Sequence, residues 1–428
     1  MFKGRFRFAV AVMLFLATAI GYIDRSSIGI VAPLLTPELH LSPAQMGLIF
    51  SGFFCGYTVF AFIGGALADR FGPVRVMSWA MGIWSVLCGL TAGVFNFGSF
   101  FILRVFFGMG EGPTLTAINR TAANWFSRRE VSTMVGTIFS GQMFGAAITG
   151  PIVGLLALRL GWRPTFIVIA ILGLIWLAIF VRVATNRPQD NRRVSSDELL
   201  RIEAGREEHE LLSNDTRTLR QCLFSRNTLG ICIGLFAANY TINNLLFWLP
   251  TYFVSSHHAG VRQMSLLMAI PWIAGMIGSS GGGLVSDLIY RRMNNPVSAR
   301  KLCAWVPLAL SGLAALLLST ASSLTMAVVL VTAAIMFISA AGQAHWVINH
   351  ELYPRCHVGG VGGFIHLMGN ISGIVGPAIT GMAVQHFGGF EVAFKLCTAV
   401  DAVGVLAMIV LVRRPADRVS GLVANPGL

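Results

Sequence analysis

Apolar residues in this chain come in long unbroken blocks rather than at the spacing of a half-buried helix. Blocks of about 20 residues recur, each long enough to cross the hydrocarbon layer of a bilayer as a helix. Twelve are read, at about 8–34, 43–68, 76–95, 98–119, 131–156, 164–184, 227–254, 263–286, 301–320, 323–349, 358–386 and 392–412. Lipid offers no partner to a bare N–H or C=O, so a lone spanning segment must satisfy its backbone internally, as a helix does. The pattern therefore predicts an all-α integral membrane protein of twelve transmembrane helices. One long polar stretch, about 185–226, separates the first six from the last six. Within it DELLRIEAGREEHELL predicts an amphipathic surface helix capped by Ser195, Ser196 or Asp197. The expected organisation is a six-helix bundle over 1–185, a linker over 186–226, a second six-helix bundle over 227–415 and a tail over 416–428. Lys3, Arg5 and Arg7, the following apolar run and Ala17-Thr18-Ala19 have the layout of a signal peptide. The run continues through Ala32, which predicts a retained first span.

Composition agrees. Hydrophobic residues are 55% of the chain and charged residues 11%, too few to cover a water-soluble body of 428 residues. The net charge of +13 could suggest a nucleic-acid partner, but its placement argues otherwise. All but six of the 31 Lys and Arg lie at the N-terminus, in the even-numbered loops or at the C-terminus. The exceptions are Arg159, Arg163, Arg262 and Lys395 in odd-numbered loops, with Arg25 and Arg104 inside spans. By the positive-inside rule both termini and the linker are cytoplasmic. The expected location is a bacterial inner membrane, the expected form a monomer, and no nucleic-acid partner is needed.

Enzyme signatures do not emerge. The seven cysteines (55, 88, 222, 232, 303, 356 and 397) form no C-x-x-C pair and no zinc spacing. There is no G-x-x-x-x-G-K-[ST] phosphate loop. No metal or organic cofactor is expected, and the reading is a non-enzyme.

The two halves echo one another. Gly65-Ala-Leu-Ala-Asp69-Arg70 closes span 2 and Gly283-Leu-Val-Ser-Asp287 closes span 8. Gly150-Pro151 in span 5 recurs as Gly376-Pro377 in span 11, and Gly161-Trp162-Arg-Pro-Thr-Phe166 as Gly389-Phe390-Glu-Val-Ala-Phe394. Three echoes in one order argue for a duplicated unit, an arrangement that places substrate near the midplane between repeats. Six plus six helices with Gly65-x-x-x-Asp69-Arg70-x-Gly72 in loop 2–3 resemble the major facilitator superfamily over nearly the whole chain. The resemblance implies two pseudo-symmetric six-helix bundles, with Gly65, Asp69, Arg70 and the echo residue Asp287 forming a conformational latch across the bundle interface. Val74 stands where many members carry a second basic residue.

A charge at the bilayer centre costs about 2.5 kcal/mol or more on insertion scales, so it marks a partner or a task. Asp24 and Arg25 lie together in span 1, and Arg104 and Glu111 in span 4. Seven residues are nearly two helical turns, so Arg104 and Glu111 share a face. Two neutralising pairs would be a costly way to hold two helices together; an anion site beside a proton site makes better use of four charges. Tyr-x-Asp-Arg in span 1 and Arg-x6-Glu in a glycine-rich span 4 resemble the anion:cation symporter family, whose members include bacterial sugar-acid permeases. That resemblance implies that Arg25 binds substrate carboxylate, that Asp24 and Glu111 carry protons, and that Arg104 partners Glu111. It also implies substrate contacts at Tyr22, Tyr57 and Gln142, and more loosely at Trp346 and Asn370.

The last six spans supply mostly uncharged polar groups. Asn243 and Asn244 in span 7 suit either hydroxyl recognition or helix–helix hydrogen bonding. Trp346 offers a flat face for a ring or for packing, and His345 suits either the cavity or a helix interface. His366 reads as packing. Asp401 in span 12 has Lys395 nearly two turns before it as a possible partner. The expected function is a proton-coupled symporter that imports a small organic anion by alternating access, a sugar acid (aldonate, aldarate or hexuronate) first. A carrier of aromatic or tartrate-like carboxylates, and a proton antiporter exporting an anionic compound, remain the alternatives.

Overall fold

A computed structural model describes residues 6–207, 218–293, 296–353 and 355–413. Its helices in chain order are α1 (Phe6–Glu38), α2 (Pro43–Phe71), α3 (Pro73–Leu90), α4 (Phe97–Glu111), α5 (Thr114–Trp125), α6 (Arg128–Thr149), α7 (Leu155–Leu160) and α8 (Trp162–Val183). The central stretch carries α9 (Ser196–Glu207) and α10 (Leu219–Leu223). The rest are α11 (Arg226–His257), α12 (Val261–Leu267), α13 (Ala269–Arg292), α14 (Pro296–Leu318), α15 (Leu324–Leu352), α16 (Arg355–Phe387) and α17 (Glu391–Leu411). Each expected span has its helix or helix pair. The expected linker helix appears as α9, and residues 208–217 and those beyond Arg413 lie outside the described residues.

Local sequence sets the helix ends. Ser42 caps α2 and Asn96 caps α4 through reciprocal boxes with Gln45 and Ser99. Gly72 and Gly161, both at φ +88°, make the tight turns into α3 and α8. Eleven stretches of helix among the described residues are long and apolar enough to span alone. Span 4 is the exception, because it is broken into α4 and α5 at Gly112-Pro113. Pro113 has no N–H to return to the turn before it, and its ring crowds that turn. Glu111 is thereby the last residue of α4. Span 5 is also interrupted, by a π-helical turn at Gly150–Gly154 that contains Pro151.

The two sets of spans meet on the side away from the termini. Gly47 of α2 lies against the Pro377 carbonyl, Ala378 and Gly381 of α16, and the Ala44 N–H donates to Gln385 Oε1 at 3.2 Å. A methyl on Gly29 of α1 would stand 2.9 Å from the Phe247 carbonyl of α11. Phe50 stacks on Phe247 with centroids 4.9 Å apart, and Phe54 meets the same ring edge-on. Gly150 and Gly154 pack on Ser265 of α12. On the side of the termini, Gly65, Gly281, Gly283, Gly359 and Gly363 face open space. There the linker is seated on the first set of spans. Glu198 of α9 accepts from the Phe6 and Arg7 N–H groups at 3.0 and 2.9 Å, capping α1, and Arg7 pairs with Glu130 of α6 at 2.8 Å.

Candidate functional site

The site is built on α1, α2 and α4, brought together by small residues. Gly56 of α2 lies against the Val105 carbonyl of α4, and Gly108 of α4 lies against the Phe53 carbonyl of α2. No side chain larger than hydrogen fits at either point, and this closeness presses the aromatic face of α2 onto the two arginines. Arg25 of α1 is 7% exposed. Its Nη2 donates to Glu111 Oε1 at 2.5 Å, and Gly21, one turn earlier, leaves room for that carboxylate. The guanidinium lies 4.7 Å from the Phe53 ring centroid, 4.8 Å from Tyr57, 5.0 Å from Tyr22 and 5.8 Å from Phe54. A delocalised cation is held well by such faces, and its remaining N–H groups stay available as a planar fork for an anion.

A cavity of about 30 Å³ opens beside this pair, lined among others by Tyr22, Arg25, Tyr57, Glu111, Thr114 and Gln142. The volume suits a water or two. A sugar acid needs it widened. Five residues predicted from sequence thus converge on one cavity, contributed by α1, α2, α4 and α6.

Two other charges are arranged differently from expectation. Glu111 bonds Arg25 and not Arg104, which acts on it only through space. Glu111 faces α1, where Arg25 and Gly21 lie against its carboxylate. Arg104 lies nearly two turns back, against Phe53 and Phe107 at 5.0 and 5.1 Å. Arg104 is 3% exposed, and its Nε and Nη2 have no hydrogen-bond partner among the described residues. Asp24, 3% exposed, faces α3, where the Cys88 thiol lies 3.2 Å from its Oδ1.

In the second set of spans the two asparagines separate. Asn244 is used between helices: its Nδ2 donates to the Tyr240 carbonyl at 3.0 Å and its Oδ1 accepts from Thr380 of α16 at 2.8 Å. Asn243, 9% exposed, lies one turn before Phe247 and so shares the face turned toward α2. The Asn370 Nδ2 donates within its own helix to the His366 carbonyl at 2.9 Å. The side chain of Trp346 lies outside the described residues. His345 donates from Nδ1 to the Ala341 carbonyl at 2.8 Å and packs near Gly234 of α11, which makes it an interface histidine. His366, read from sequence as packing, lies within electrostatic reach of Arg25. Asp401 is fully buried and accepts from Thr241 of α11 at 2.9 Å, whereas Lys395 pairs with Glu391 at 2.5 Å.

The latch residues stay within their own sets of spans. Asp69 pairs with Arg120 of α5 at 3.1 Å, Asp287 with Arg300 of α14 at 2.7 Å, Arg70 lies over the Phe71 ring, and Gly65 faces open space. Sequence reasoning missed Phe53, Phe54 and Cys88. The two phenylalanines carried a signal, since Phe53, Phe54 and Tyr57 fall at i, i+1 and i+4 on one helix face. A lone cysteine in an apolar run carries none.

A helical membrane protein with a buried, aromatic-caged arginine beside a cavity between its helices has the make-up of a transporter. The sequence profile of the Major Facilitator Superfamily matches residues 14–348, and the chain belongs to that superfamily. It is 36% identical over 424 residues to the hexuronate transporter of Bacillus subtilis (strain 168), covering 97% of both chains. It is 29% identical to the probable galactarate/D-glucarate transporter of Escherichia coli (strain K12), over 95% of this chain and 93% of that one. The solved D-xylose-proton symporter shares the fold, with a TM-score of 0.77 at 16% identity over 95% of this chain and 98% of that one.

Proposed function

We propose that this chain is a proton-coupled symporter of a sugar acid, a hexuronate first, working by alternating access. The observation that carries the reading is the Arg25–Glu111 pair inside a cavity whose other polar walls are Tyr22, Tyr57 and Gln142. A uronate offers one carboxylate and several hydroxyls, which match one guanidinium fork and those neutral partners. The relatives named for hexuronate and galactarate/D-glucarate transport support the same class of cargo.

In this mechanism Glu111 holds Arg25 while the site is empty. Protonation of Glu111 removes its charge and releases the guanidinium. The substrate carboxylate takes the fork, and its hydroxyls reach Tyr22, Tyr57, Gln142 and Asn243. Asp24 carries a second proton on the other face of α1. The net charge of the filled site is then low enough for it to close and reopen on the other side of the bilayer. With the termini in the cytoplasm of a bacterial inner membrane, the conformation described above is the inward-facing one. Asp69 and Asp287 then change partners when the cytoplasmic side closes.

The test is thermal stabilisation of purified protein by a panel of uronates, aldonates, aldarates, aromatic acids and neutral hexoses at acid and alkaline pH. Stabilisation by a sugar acid, stronger at acid pH, is expected. Stabilisation by a neutral hexose with no response to any carboxylate would remove Arg25 from the binding role. Tighter binding at alkaline pH would favour proton antiport.

A further inference from the structure

Asp24 is not among the residues that line the cavity. It is buried toward α3, and its partner there is unusual. The Cys88 Sγ lies 3.2 Å from Asp24 Oδ1 and 3.7 Å from the Phe166 carbonyl of α8, and Cys88 is 1% exposed. A thiol has one proton to donate and a sulfur that accepts. The Phe166 carbonyl oxygen, being a helical one, keeps a second lone pair after its backbone bond.

We propose that Cys88 is a positioning residue for the Asp24 proton, its thiol giving Asp24 a hydrogen-bond partner in both protonation states. The inference rests on the proton-carrying role of Asp24 given above and deepens it. With Asp24 ionised, the S–H is donated to Oδ1. When a proton arrives on Asp24, the new O–H donates to Sγ and the S–H rotates to the Phe166 carbonyl. One proton is gained, none is lost from sulfur, and no buried donor or acceptor is stranded in either state. Such stranding is what makes a buried carboxylate expensive. The other groups acting on Asp24 are Arg104 and Glu111 of α4 through space, with Trp84 of α3 beside it, and from α8 the Phe166 carbonyl meets Cys88.

The donor strength of residue 88 therefore sets the pH at which Asp24 loads. The experiment measures the pH profile of hexuronate uptake in proteoliposomes for wild type, Cys88→Ser, Cys88→Ala and Asp24→Asn, with counterflow exchange as the readout of an intact carrier. A hydroxyl donates more strongly to the carboxylate, so Cys88→Ser moves the half-maximal pH down, by about one unit. Cys88→Ala has no donor and moves it up by a similar amount. Shifts in opposite directions, with exchange retained, are the expected result. Coincident profiles, or shifts in the same direction, overturn the thiol role while Asp24→Asn still alters the pH profile, leaving the part that Glu111 carries. If Asp24→Asn keeps the wild-type profile, the role of Asp24 fails and the inference fails with it.

Discussion

Glu111→Gln keeps the size and shape of the side chain and removes its charge. In the structure Arg25 Nη2 and Glu111 Oε1 are 2.5 Å apart, with side chains 9% and 6% exposed. An incoming carboxylate must displace this partner before it can take the guanidinium. A hydrogen bond with a charged partner contributes about 1.5–3 kcal/mol net and a neutral one about 0.5–1.5. The amide therefore competes less well by about 1.4 kcal/mol, which is about tenfold in affinity. Equilibrium binding of glucuronate to purified protein, measured from acid to alkaline pH, reads this directly. Wild type should bind more weakly as pH rises. The variant should bind about tenfold more tightly than wild type at alkaline pH, with a flattened pH dependence. In proteoliposomes it should exchange labelled for unlabelled substrate but not concentrate it. Weaker binding than wild type at alkaline pH, or an unchanged pH dependence, would refute the idea that Glu111 and substrate compete for Arg25.

Other substitutions separate recognition from packing. Asn243→Ala should weaken glucuronate binding with little change in melting temperature, whereas Asn244→Ala, which cuts the bond to Thr380, should cost about 0.6–1.7 kcal/mol of stability. Asp401→Asn should hold the Thr241 bond and leave stability within error, while Asp401→Ala strands the hydroxyl and should cost about 1–3 kcal/mol by thermal unfolding. Gly108→Ala puts a methyl into the Phe53 carbonyl and should cost about 1–3 kcal/mol and separate α2 from α4, read as lower melting temperature and reduced uptake.

Much of this molecule was legible without coordinates. Apolar length alone placed the spans, because a bilayer requires about 20 residues per helix whatever the neighbours are. Charges at membrane depth marked Asp24, Arg25, Arg104 and Glu111 because lipid tolerates them only with a task. The resemblance added Tyr22, Tyr57 and Gln142, and these do surround one cavity with Arg25 and Glu111.

Pairing was not legible, because it depends on which face each helix turns and how near it comes. Arg104 and Glu111 share a helix face by spacing, yet nearly two turns along α4 separate them, and Glu111 meets Arg25 of α1 while Arg104 lies against Phe53 and Phe107. Adjacent asparagines look equivalent in a sequence, but about 100° of helical rotation gives Asn244 to α16 and Asn243 to the face toward α2. The echo motifs named Asp69 and Asp287, and only the tertiary structure decided that each is bonded within its own set of spans. Hydrophobic length is a property of one segment, so sequence determines it. A hydrogen bond between helices is a property of two segments and the distance between them, and that distance was decided by glycines such as Gly56 and Gly108 and by the whole packing around them.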